Sequence, residues 1–192
     1  MITCISYEWA PSLGDAGPLG WAVLALYVFA AGLCLLEAAA CLKRADRRSA
    51  SERYFWLGAL VLIVLTAAAR EFDLAGAVSA AGRCLAINQG WYGERRLVQA
   101  AFILVLILVA AVAALAVWKA GGMLKRLWLP VSGLLMLVVF SFARSASDHY
   151  LDALVGENLL GVKLAWLLQI LALGFVIAGA LINRRSQDGA VT

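Results

Sequence analysis

Polar and apolar positions along this chain fall into long blocks rather than the short alternations of a soluble fold. Apolar runs cover residues 20–42, 54–70, 97–118, 127–143 and about 158–182. A helix that crosses the hydrocarbon layer needs about 20 mostly apolar residues. The second run is short by that measure, and the arms of Arg53 and Arg70 can extend it by snorkelling. Pro130 sits in the first turn of the fourth run, where proline is tolerated. Residues 70–96 are patterned differently. Leu74, Val78, Ala81 and Leu85 recur at helical spacing with Asp73, Arg83 and Asn88 elsewhere on the wheel, which predicts a short interfacial helix over about 72–88. Asn88, Gln89 and Gly90 form its stop signal.

The fold class that follows is all-α: a polytopic membrane helical bundle of five transmembrane helices plus the interfacial helix. It divides into an extracytoplasmic leader (1–19), a single membrane domain (20–185) and a cytoplasmic tail (186–192). The leader is rich in turn residues and lacks the positive n-region of a signal peptide. No internal repeat is visible.

Composition narrows the class further. The chain is 64% hydrophobic and 15% charged, against roughly 45–50% and 25% for soluble domains. Helices with this composition are apolar on every face, which a soluble bundle does not sustain. The net charge of +4 comes from basic residues in short loops beside apolar runs, so it orients the protein and does not point to nucleic acid. With the N-terminus outside, the cytoplasmic segments hold Lys43, Arg44, Arg47, Arg48, Arg53, Lys119, Lys125, Arg126, Arg184 and Arg185, and the outside holds Arg70, Arg83, Arg95, Arg96, Arg144 and Lys163. The excess of positive charge inside predicts N-out, C-in.

Under that topology three mixed-charge segments share the outer face. They are Arg70, Glu71 and Asp73; Trp91, Tyr92, Glu94 and Arg96, with Gln99 one turn further; and the stretch Arg144 to Asp152, which includes Ser145, Asp148 and the only histidine, His149. Paired charges near the boundary cost less than isolated ones, so one shared polar site is the economical reading. On a helix Ser145, His149 and Asp152 lie on one face. An imidazole beside a carboxylate can act as a general base or ligate a divalent metal, with His149 and Asp152 as candidate ligands. The alternative is that the same residues cap the fourth span and hold the next loop by hydrogen bonds. Zinc wants two or three His or Cys ligands, and His149 cannot supply the paired axial ligation of a b-type cytochrome. Cys4 and Cys84 fall on the same oxidising side and are candidates for a disulfide.

Other polar residues lie inside the spans. Glu37, near the inner end of the first, is expected to snorkel to the boundary, with a proton or ion role as the alternative. Gln169, mid-way along the fifth, is expected to bond across helices. Trp21, Trp56, Trp91, Trp118 and Trp128 fall near span ends and are read as interfacial markers.

The stretch 144–152 carries partial likenesses to two groups of membrane hydrolases. Ser145 and His149 resemble the serine–histidine spacing of the ceramidase-like superfamily, whose second histidine pair this chain lacks. Arg144, His149 and Asp152 resemble the last signature of the type-2 phosphatidic acid phosphatases, although the spacings differ and the other motifs are absent. Across most of its length the chain is similar to a family of small bacterial multi-span membrane proteins sometimes labelled isopropylmalate isomerase. Residues 9–15 (WAPSLGD), residues 90–96 (GWYGERR) with Gln99, and the 144–152 stretch carry that resemblance. Asp148 replaces the first histidine of a pair in that family. The iron–sulfur cysteine spacing of a soluble isomerase is missing here. The resemblance implies a bacterial inner-membrane protein and no particular reaction.

The expectation is therefore an integral inner-membrane protein with a charge-paired site at its outer face, in a binding or accessory role. Its partners would be the bilayer, and a membrane protein or a lipid ligand. Two alternatives stay open: a hydrolase of lipids or phosphate esters using His149 and Asp152, and a purely structural membrane subunit.

Overall fold

The structure, a computed structural model, describes residue 4, residues 17–43, 47–90, residue 122, and residues 126–145, 158–159 and 162–188. Their main elements are α1 (Pro18–Leu42), α2 (Arg47–Glu71), α3 (Leu74–Asn88), α4 (Trp128–Ser145), a two-residue antiparallel pairing of β1 (Asn158–Leu159) with β2 (Val162–Lys163), and α5 (Leu164–Asp188). The predicted third span, 97–118, lies outside the described residues.

Among the described residues, three helices are long and apolar enough to cross a membrane: Pro18–Leu42, Ser49–Glu71 and Leu164–Ser186. A helix of 25 residues is about 37 Å long at 1.5 Å per residue, more than the roughly 30 Å of hydrocarbon. The apolar stretch of α4, Trp128–Ser141, is shorter. Large apolar side chains such as Val28, Phe29, Val61, Leu65, Val139 and Ile182 are exposed on the outside of the helices. That surface is costly in water and suits lipid.

Local chemistry sets the helix ends. Pro18 opens α1 with Gly17 extended before it, a position where the missing proline N–H costs nothing. The second span is lengthened by helix rather than by side chains: α2 begins at Arg47, within the basic stretch. Arg53 lies over the Tyr54 ring, 5.2 Å from its centroid. Asp73 adopts a left-handed conformation, φ 45°, which aspartate tolerates better than most residues, and this break separates α2 from α3. Likewise α5 begins at Leu164, because Asn158 and Leu159 pair with Lys163 and Val162 instead of entering the helix.

α1 packs antiparallel against α2 and parallel to α5, and α4 packs antiparallel against α5. Near one end of the α1–α2 pair the Arg70 guanidinium donates to the Gly20 carbonyl at 3.4 Å. At the other end the Ser49 hydroxyl donates to the Cys41 carbonyl. Small residues let α4 and α5 approach closely. A Cβ on Gly133 would fall 2.9 Å from Val176 Cγ2, and one on Gly179 would fall 2.9 Å from Pro130 Cγ. Such small-residue contacts replace the hydrophobic driving force that is absent within lipid.

The core between these helices holds Val23, Ile63, Leu137, Leu173 and Val176, together with Trp56. Trp56 is fully buried, which corrects its reading as an interfacial marker. Trp21 and Trp128 are exposed.

Candidate functional site

The bundle carries two polar layers separated by apolar packing. The first lies where α1 and α5 end and where α2 and α4 begin. Glu37, on the face of α1 that also buries Cys34, Ala38 and Cys41, is fully enclosed. It does not snorkel, because α5 covers it and supplies partners inside the bundle. Asn183 Nδ2 donates to Glu37 Oε2 at 2.7 Å. Arg184 Nε stands 2.9 Å from Glu37 Oε1, an ion-pair distance off the line of a hydrogen bond. Asn183 is itself buried, and its Oδ1 accepts from Arg126 Nη2 at 2.9 Å. The same Arg126 nitrogen donates to Glu52 Oε2 at 2.8 Å. An amide turned the other way would set donor against donor and oxygen against carboxylate, so the network fixes the Asn183 side chain.

The result is one connected chain: Arg184, Glu37, Asn183, Arg126, Glu52. It links α1, α2, α5 and the segment that leads into α4. Two carboxylates meet two guanidinium groups, so the layer is neutral. A buried carboxylate is expensive alone and tolerable when paired and hydrogen-bonded. The carboxylates are the enclosed members, with Glu52 at 5% side-chain exposure, while Arg126 and Arg184 keep 36% and 40%.

Towards the opposite ends lies the second layer. Arg70 Nη1 stands 2.6 Å from Glu71 Oε1, with the Arg70 side chain 8% exposed. Thr66, one turn earlier on α2, donates to the carbonyls of Leu62 and Ile63 at 2.9 and 3.0 Å. Deeper in the bundle, Tyr27 Oη donates to Gln169 Oε1 at 3.2 Å. Gln169 therefore bonds across helices, as its place in the fifth apolar run implies. Cys4 and Cys84 are joined as a disulfide, Cα–Cα 6.1 Å, which ties a residue of the leader to α3.

Of the residues expected to form an outer site, Arg70 and Glu71 are in contact and Asp73 makes the turn just beyond them. Arg144 and Ser145 belong to the last turn of α4, and the antiparallel packing puts that turn at the same end of the bundle as Arg70. Trp91, Tyr92, Glu94, Arg96, Gln99, Asp148, His149 and Asp152 lie outside the described residues. Among the described residues, no three His, Cys, Asp or Glu side chains are grouped to hold a metal ion.

The Glu37 layer was not anticipated as a unit. Its one signal in the sequence is a glutamate inside an apolar run. Arg126 and Arg184 read there as orienting charges, and Asn183 as the residue after a span. No protein-family model, curated protein or solved structure matches the chain.

Proposed function

We propose that the chain is a five-span protein of the bacterial inner membrane that serves as a binding or accessory component through a charge-paired site at its outer face. The N-terminus lies outside and the C-terminus in the cytoplasm. The observation that carries this reading is the convergence of chain ends around Arg70: the last turns of α2 and α4 and the start of α1 share one end of the bundle, and Arg70 is already held there by Glu71 and the Gly20 carbonyl. The 91–99 and 148–152 segments, which lie outside the described residues, are assigned to that site on their sequence alone. The Cys4–Cys84 disulfide supports the orientation, because disulfides persist on the oxidising side of the membrane. The likeness of residues 9–15 and 90–96 to small bacterial membrane proteins agrees with it. A lipid head group or a charged loop of a membrane protein suits a site that offers arginine beside carboxylate.

Retention through purification tests the proposal. Wild-type protein extracted in mild detergent is expected to carry a lipid or protein visible by native mass spectrometry, and Arg70→Gln combined with Arg144→Gln is expected to lose it. Turnover of a lipid or phosphate ester that disappears in His149→Ala, with thermal unfolding unchanged, would replace the binding reading with the hydrolase.

A further inference from the structure

Among the described residues, the Arg184–Glu37–Asn183–Arg126–Glu52 layer leaves most of its donor capacity unused. A guanidinium has five N–H donors in a planar fork. Arg184 commits only Nε, to Glu37, and Arg126 commits only Nη2, to Glu52 and Asn183. Among the described residues the remaining nitrogens of both side chains have no protein partner. Both are more than a third exposed, while the carboxylates that pin them are at 0% and 5%. Two forks are thus held by buried carboxylates on either side of the Asn183 amide, and both side chains keep part of their surface exposed at the end of the membrane-crossing helices.

The surroundings are positive. The buried glutamates already balance these two arginines, and in sequence Lys43, Arg44, Arg47, Arg48 and Arg185 outnumber Asp46 and Asp188 at this end. Arginine forks match phosphate oxygens in geometry and charge. Pre-fixing them by buried carboxylates removes part of the ordering cost of binding.

We propose that Arg126 and Arg184 form a phosphate-binding site at this end of the bundle, with phosphate from an anionic lipid head group or from a free anion as its ligand. The site is separate from the outer-face site proposed above, and holds whichever way the chain is oriented. The ion pairs to Glu37 and Glu52 stay in place, and the phosphate takes the remaining donors.

The test is thermal unfolding of the purified full chain in a neutral detergent with added phosphatidylglycerol, phosphatidylcholine or inorganic phosphate. The variants are the charge-balanced pairs Glu37→Gln with Arg184→Gln and Glu52→Gln with Arg126→Gln, which leave no buried carboxylate unpaired. Stabilisation of wild type by phosphatidylglycerol but not phosphatidylcholine, with half-saturation about tenfold weaker in each pair variant, supports a lipid phosphate. Stabilisation by inorganic phosphate that weakens in the same variants supports the same site with a soluble anion as its source. Equal responses of wild type and both variants to every addition overturn the site. A pair variant with no unfolding transition of its own is replaced by Arg184→Lys with Arg126→Lys, which keeps the charge and removes the forks. An unchanged response there also overturns the proposal.

Discussion

The Asn183 amide donates to the Glu37 carboxylate at 2.7 Å, across 146 positions of sequence and between two parallel helices. That contact sets the depth at which α1 and α5 meet, because a buried glutamate has few other partners to choose. Asn183→Leu would leave Glu37 with Arg184 alone and would strip one of the two acceptors from Arg126. The loss should be about 2–3 kcal/mol, the cost of a buried charged group short of a hydrogen bond, reduced because Arg184 is partly solvated. Unfolding of the variant in detergent or nanodiscs measures it, and a change below 0.5 kcal/mol, the scale of a surface substitution, would be within about the noise of a neutral site.

The contact between α4 and α5 should be intolerant of volume. Gly179→Leu drives a side chain into Pro130, and Gly133→Val drives one into Val176 and the neighbouring backbone of α5. Each should destabilise by about 1–3 kcal/mol through overpacking. Gly174→Ala on α5 is the control: a Cβ there meets nothing within 4 Å, so it should be neutral or slightly stabilising. Comparable losses in all three variants would mean that the close approach of α4 and α5 does not set the cost, since helix propensity favours alanine and leucine over glycine.

The layers differ in how far sequence reveals them. Apolar runs of spanning length announce α1, α2 and α5 directly, since the bilayer demands length and composition more than a pattern of contacts. Gln169 was legible for a related reason: an amide in mid-membrane must find a partner, and Tyr27 supplies it. Trp56 was not, because its sequence context near a run of charges resembles that of an interfacial tryptophan, and only the facing of α2 towards α1 decides that it is buried. Glu37 was seen but placed by the reach of its own side chain, whereas α5 covers it. Its partners Asn183, Arg184 and Arg126 come from segments far away in sequence, and no local spacing links them. Arg70 with Glu71 was readable because both belong to one turn.

Tyr27 and Gln169 should be coupled. Tyr27→Phe removes the donor and Gln169→Leu removes the acceptor, so the double variant should lose less than the sum of the two. Side-chain hydrogen bonds within membrane bundles average about 0.6 kcal/mol in such cycles, and the coupling here should be of that order. Strict additivity would mean that the 3.2 Å contact contributes nothing to stability.

The disulfide yields a prediction that bears on stability and orientation together. Closing a loop across a sequence separation of 80 restricts the unfolded chain, and such cross-links typically stabilise by about 2–4 kcal/mol. Cys4→Ser with Cys84→Ser should lower the unfolding temperature accordingly, while Cys34 and Cys41, buried and outside the disulfide, should remain unreactive in the folded protein. If the N-terminus is outside, a membrane-impermeant reductant added to intact cells should open the bond, giving a mobility shift on non-reducing gels after thiol labelling. A cysteine placed at Ser186 should meanwhile resist an impermeant maleimide until the membrane is broken. Labelling at Ser186 from outside, with Cys4 and Cys84 protected, would reverse the orientation and move the Arg70 site to the cytoplasmic face.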